Sequence, residues 1–194
     1  MLAELLSTTD DHDATTVQII DAALAEFTEF GFRRVSIADV ARRTGLHRAT
    51  VHRRFPTKDD LVVAASITWA RRFFTTIATA VTDLDTFDDR LIEGFALALT
   101  RLRADPLVTR ILTTDADTVL PFLTTQGGPV LAMVTEFFAD QYRATYPDRA
   151  DLTIAAELAA RLGLSLLLTP QSHAPLDSEH DIRAFARRYL LTLI

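Results

Sequence analysis

Residues 44–61, TGLHRATVHRRFPTKDDL, hold the side chains of this chain best suited to gripping a polyanion. Arg48, Arg53, Arg54 and Lys58 carry fixed positive charge, His47 and His52 offer ring N–H groups, and Thr50 offers a hydroxyl. An arginine fork matches O6 and N7 of guanine, threonine meets a thymine methyl or a phosphate oxygen, and histidine donates to phosphate. Residues 31–58 contain eight Lys or Arg against one acid, Asp39, whereas residues 1–30 contain seven acids and no Lys or Arg. From residue 59 onward acids lead again, eighteen to twelve, so a +7 block lies between two negative ones in a chain of net charge -6. Such a block reads either as a polyanion site on an acidic body or as a solvated helix face.

Other chemistries are poorly supplied. The absence of cysteine removes disulfides, thiolate zinc sites and thiol redox sensing. His12, His173 and His180 fall in loops or at ends, no HExxH or ExxH pair occurs, and GxSxG and glycine-rich phosphate loops are missing. His47 and His52 are five residues apart, which on a helix separates them too far to share a metal. The expectation is a protein that is not an enzyme and uses no cofactor or metal, with a helical-bundle enzyme as the remaining catalytic alternative. The opening MLAELLSTTDDHD lacks the basic region of a signal peptide, and no apolar run reaches the roughly eighteen residues of a membrane span. A cytoplasmic location without membrane contact is expected.

The elements that would position the basic stretch are helices. Val17, Ile20, Leu24 and Phe27 share one helical face, ending at Gly31 in a C-cap position. A second helix starts at Ser36 with Asp39 completing a capping box, directs Ile37, Val40 and Ala41 inward, and stops at Thr44 and Gly45. A short third helix then turns Leu46, Val51 and Phe55 to the core and leaves His47, Arg48, Thr50, His52 and Arg53 outside, and Pro56 ends it. Two short helices around a tight glycine turn form a helix-turn-helix, whose second helix fits the DNA major groove. Arg42, Arg43, Arg54 and Lys58 flank that helix, where they would meet phosphates, and Ala49 allows close approach to the duplex.

Residues 14–61 resemble the DNA-binding head of the TetR-type transcriptional regulators. The likeness is carried by FGF at the end of the first helix, then by SIADVARRTGLHRATVHRRFPTKDDL with its F-P-x-K-[DE] signature. It implies that Ser36, Thr50, His52 and Lys58 contact phosphates and that His47, Arg48 and Ala49 lie nearest the bases, with Arg53 on the same exposed face. Two positions depart from the family pattern. His47 replaces the usual Ser or Thr, a better helix cap, and His52 replaces a Tyr, so the phosphate contact there is shorter in reach.

The rest of the chain also reads as helical, making the fold class all-α: a three-helix head on a larger ligand-binding and dimerisation body. The expected division is a flexible N-terminus over 1–13, the head over 14–58 and the body over 59–194. Thr57 and Asp60 cap a long helix to about Val81; others span Thr86 to Arg103, begin at Asp105 and Pro106, span Pro129 to Tyr146 and Ala150 to Leu168, and end with Asp181 to Leu193. Trp69, Phe73 and Ile77, Phe95 and Leu99, and Met133 and Phe137 form aromatic and aliphatic stripes read either as core or as walls of an effector pocket. Leu158, Leu162 and Ser165, with Ile182, Phe185, Tyr189 and Leu190, are expected to face a second copy in a four-helix interface. The expected partners are a palindromic DNA operator, a second copy of the chain and a small-molecule effector. The function implied is a ligand-responsive regulator, most simply a repressor; a ligand-independent architectural DNA-binding protein is the alternative.

Overall fold

The first turn of the first helix is set by Asp13, whose carboxylate accepts from the Thr16 amide at 3.1 Å and caps α1 (Ala14–Phe30). In the computed structural model, which describes residues 13–193, every regular element is helical. The expected flexible segment 1–13 therefore lies, Asp13 apart, outside the described residues. After α1 come α2 (Ile37–Thr44), α3 (Arg48–Arg54), α4 (Lys58–Val81), α5 (Phe87–Ala104), α6 (Pro106–Thr114), α7 (Ala116–Leu123), α8 (Gly128–Arg143), α9 (Leu152–Leu168) and α10 (Glu179–Phe185). A π-helical turn, Ala186–Leu190, and a 3-10 turn, Leu191–Leu193, extend α10.

Two compact units are present, one built from residues 13–72 with Asp105–Pro121 and the other from Phe73–Ala104 with 122–193. The first has Ile19, Ile20, Ala23, Phe27, Val40, Val51, Phe55, Leu61 and Ala65 at its centre, joined by Leu107 from α6. Val17 and Leu24, expected on the inner face of α1, are half-buried, and Ile19 and Ala23 are buried instead. The buried arc of α1 is wider than a single stripe because α2 and α6 both pack on this helix.

Within the same unit the segment after Pro106 bends at Asp115 into two helices. Thr113 and Thr114 donate back to the carbonyls of Thr109 and Arg110 at 2.6 and 2.9 Å, and the Asp115 carbonyl starts α7 by accepting from Thr118 and Val119. The Asp115 side chain is 1% exposed. Its carboxylate accepts from the backbone amides of Phe32 and Arg33, each at 3.0 Å, and lies 2.8 Å from the Thr114 hydroxyl, whose one proton it shares with the Arg110 carbonyl.

The second unit packs Leu91, Ile92, Phe95, Ala96 and Leu99 of α5 against Tyr142, Leu152, Ala155 and Leu166, with Ile182, Ala186 and Leu190 closing the core. Arg103 of α5 donates to the carbonyls of Leu176 and Leu166 at 2.8 and 3.2 Å, fastening the proline-bearing loop after α9. Arg183 bridges α10 to Glu93, and this hydrogen-bonded guanidinium holds the Glu93 carboxyl below its ordinary value. No helix among the described residues is long and apolar enough to cross a membrane.

Candidate nucleic-acid interface

α2 begins in a complete capping box: the Asp39 amide donates to the Ser36 hydroxyl oxygen, and the Ser36 amide and hydroxyl donate to the Asp39 carboxylate at 2.9 and 2.6 Å. These bonds, with Arg42 adding its charge, hold the Asp39 carboxyl below the usual carboxylate range. The Ser36 hydroxyl proton is thus committed within the protein; at a phosphate Ser36 would have to exchange partners. Gly45 then turns the chain at φ 73°, in the left-handed region that favours glycine, and Thr44 secures the corner by accepting from the Leu46 amide at 3.2 Å.

α3 starts at His47 with no side-chain hydrogen bond to its free amides, as expected from a residue that caps poorly. Val51 is fully buried and Phe55 nearly so, which anchors one side of the helix in the head core. The other side presents His47, Arg48, Ala49, His52 and Arg53 exposed, with Thr50 half-buried between them. Arg48 and Arg53 have no ion pair or hydrogen bond among the described residues, so both guanidinium forks are available to a ligand.

The flanking cations behave differently from the expectation drawn from charge blocks. Arg43 bonds Glu26 at 2.6 Å and Glu29 at 2.7 Å, and these carboxylates raise its pKa. Arg54 pairs with Asp13 and bonds the Thr16 hydroxyl at 2.5 Å, while Arg42 pairs with Asp39. Lys58 donates to the Arg33 carbonyl at 3.0 Å. Asp13, Glu26 and Glu29, part of what looks like a separate negative block in the sequence, therefore fold against the basic block. Among the eight basic residues of 31–58, Arg34, Arg48 and Arg53 have no ion pair or hydrogen bond within the described residues, and Lys58, bonded to a neutral carbonyl, keeps its charge unpaired by a carboxylate. Arg34 lies in the turn between α1 and α2 and was legible only as part of the charge count.

The residues expected to line a pocket are divided between the two units. Trp69 packs with the core of the first unit and donates from its indole nitrogen to Asp105 at 3.3 Å, whereas Phe73 and Ile77 belong to the second unit. Trp69 and Phe73, four residues apart on α4, thus fall on either side of the division between the two units. Ile77, Phe95, Leu99 and Met133 are buried, and Phe73 and Phe137 are half-buried in an edge-to-face series that runs Phe73, Phe74, Phe138 and Phe137. The buried hydroxyls of Thr100 and Thr135 have no hydrogen-bond partner among the described residues. A cleft lined by Val81, Arg90, Phe138 and Tyr142 has about 30 Å³, room for about one water.

The expected interface residues also divide. Ile182 and Leu190 are 2% and 0% exposed inside their own chain, so they offer nothing to a partner; with Ala186 they form the i, i+4, i+8 stripe that faces the core. Tyr189 is 46% exposed and rests against Phe185, Ser165 is exposed, and Leu158 and Leu162 are half-buried. Ile154, one turn before Leu158 and 61% exposed, was overlooked although it continues the same stripe.

Residues 19–65 match the family described as bacterial regulatory proteins, tetR family, and residues 87–188 match the bacterial tetracyclin repressor C-terminal domain. HTH-type transcriptional regulator AlkX of Mycobacterium tuberculosis is 26% identical over 162 residues, covering 80% of this chain and 74% of the relative. A second regulator from that organism, Rv2250c, is 29% identical over 171 residues, covering 87% and 84%. Among solved structures, the TetR family repressor AlkX from a Dietzia strain superposes with a TM-score of 0.69 at 21% identity, over 93% of this chain and 97% of that one. With family matches over both its head and more than half of its length, and an exposed arginine-bearing second helix in a helix-turn-helix, the chain belongs to the TetR family of ligand-responsive, DNA-binding transcriptional regulators, which are not enzymes.

Proposed function

We propose that the chain acts as a repressor: a homodimer that sets α3 of each copy into successive major grooves of a palindromic operator and leaves it when a small molecule enters the helical body. The observation that carries the reading is the exposed face of α3, with Arg48 and Arg53 left unpaired while the neighbouring arginines are neutralised by carboxylates. Arg48 lies at the helix start, where recognition-helix residues reach base edges, and Lys58, Thr50 and His52 are suited to phosphates. TetR-family proteins generally bind DNA as dimers. Here the outer stripes of α9 and α10, with Ile154, Leu158, Leu162, Phe185 and Tyr189, supply the apolar surface a second copy would cover. Repression needs only that the operator be occupied, which makes it the simplest mode.

For the effector, the Phe73, Phe74, Phe137 and Phe138 rings favour a largely apolar molecule. α4 is the route to the head, because it runs unbroken for 24 residues from Lys58 to Val81. Coupling of about 1 to 3 kcal/mol would weaken DNA binding about 5- to 150-fold, and DNA would weaken effector binding by the same factor. The test is a thermal-shift screen of apolar metabolites, followed by titration of each hit against the free dimer and the dimer on a duplex selected from a random library. Equal affinity for both forms would exclude that hit as an inducer. If no compound shifts either stability or DNA affinity, the architectural reading replaces this one.

A further inference from the structure

The turn from Gly31 to Val35 is held from inside and leaves one cation free outside. Arg33 is fastened at three points: its amide donates to Asp115 at 3.0 Å, its carbonyl accepts from Lys58 at 3.0 Å, and its Nη1 reaches both carboxylate oxygens of Asp117 at 2.9 and 3.2 Å. The buried Asp115 carboxylate also takes the Phe32 amide, so two successive backbone positions are fixed by one side chain. Gly31 allows this close approach, since a Cβ there would lie 2.5 Å from both Asp115 Oδ2 and Thr114 Oγ1. Arg34 follows directly. It is exposed and has no ion pair or hydrogen bond among the described residues, and its Cα is one peptide unit, about 3.8 Å, from that of Arg33.

We propose that Arg34 is a DNA phosphate anchor beside Lys58, and that Asp115 is the positioning residue that holds it in register with α3. The Arg33 carbonyl bound by the Lys58 ammonium places the turn backbone next to a cation assigned to the DNA backbone, so the Arg34 guanidinium and the Lys58 ammonium are in reach of the same or adjacent phosphates. Phosphate contacts fix register without reading bases, which is what a rigid turn beside a recognition helix can supply. The buried carboxylate does not touch DNA; it acts by denying the turn other conformations. This inference rests on the docking of α3 proposed above.

The experiment measures affinity of the full-length dimer for a selected operator and for a random 30-base-pair duplex across a salt series. Arg34→Ala is expected to weaken both duplexes by the same factor and to make the salt slope shallower by about 0.9, the contribution of one phosphate, with Arg34→Lys retaining the slope. An unchanged slope and affinity in Arg34→Ala overturns the anchor. Asp115→Asn keeps the shape but presents an amide donor to one of the two backbone donors. It should weaken both duplexes, and adding Arg34→Ala to it should cost little more. Losses that multiply in the double variant overturn the positioning role. Should Asp115→Asn fail to fold, Thr114→Val, which removes the hydroxyl lying 2.8 Å from the carboxylate and 2.9 Å from the Arg110 carbonyl, gives the same test with smaller losses. Loss of operator discrimination in Arg48→Ala alongside an unaltered Arg34→Ala would refute the anchor while leaving the docking of α3 intact.

Discussion

Replacing Gly31 with Ala should be among the more damaging single-methyl changes in the head. Gly31 sits at φ 82° and ψ 167°, where a residue with a Cβ is strained by about 1 to 3 kcal/mol. The added carbon would meet Asp115 Oδ2 and Thr114 Oγ1 at 2.5 Å, so the buried carboxylate must withdraw from the Phe32 and Arg33 amides. Leaving such groups unsatisfied costs about 1 to 3 kcal/mol more. The sum, about 2 to 6 kcal/mol, corresponds at a urea dependence of about 2 kcal/mol/M to a midpoint lowered by roughly 1 to 3 M. Gly45→Ala is the matched control: Gly45 also has positive φ, at 73°, but a Cβ there meets nothing within 4 Å, so only the left-handed penalty of about 1 to 2 kcal/mol applies. Urea unfolding of both variants at one dimer concentration measures the difference. If Gly31→Ala loses no more stability than Gly45→Ala, the clamp of Asp115 on the turn is not a source of stability and the reasoning fails.

Three further outcomes are expected. Ile154→Glu should yield a folded monomer with weak operator binding, whereas Leu190→Glu should unfold the body because it buries a charge in the chain's own core; light scattering and circular dichroism separate the two, and a dimeric Ile154→Glu would move the interface elsewhere. Arg53→Ala should reduce DNA affinity, while Arg43→Ala should mainly reduce stability because its guanidinium is engaged by Glu26 and Glu29; the reverse pattern in binding and melting would contradict the division of arginines. The Glu93 carboxyl, lowered from 4.5 by Arg183, contributes stability that is full above about pH 4.5 and is lost as pH falls through its folded value, so Glu93→Gln should flatten the acid limb of the stability profile. An unchanged limb would remove that pair from the acid response.

Features carried by neighbours in sequence were readable without a structure. Ser36 with Asp39, Gly45 and the apolar positions Val40, Val51 and Phe55 place α2 and α3 as the structure has them. The capping box at Ser178 and Asp181 is equally local and starts α10 at Glu179, two residues before the Asp181 expected from the apolar pattern. What escaped reading depends on distant partners. Arg43 and Glu26 are 17 residues apart and Arg54 and Asp13 are 41 apart, so their mutual neutralisation follows only once α1 lies against α2 and α3. The role of Asp115 appears only when the bend after α6 meets a turn 82 residues earlier. Trp69 and Leu190 have the spacing of a pocket wall and an interface stripe, but periodicity does not say which of two cores, or which copy, covers a face.

The central claim is that Arg48, on the exposed start of α3, reads a base edge. Its most direct test is the affinity of Arg48→Ala for an operator selected from random DNA and for an unrelated duplex, at one salt concentration. Loss of a bidentate contact predicts about 1 to 3 kcal/mol of weakening on the operator and little on the unrelated duplex. Equal weakening on both would make Arg48 a phosphate contact and contradict the account of how this regulator finds its site.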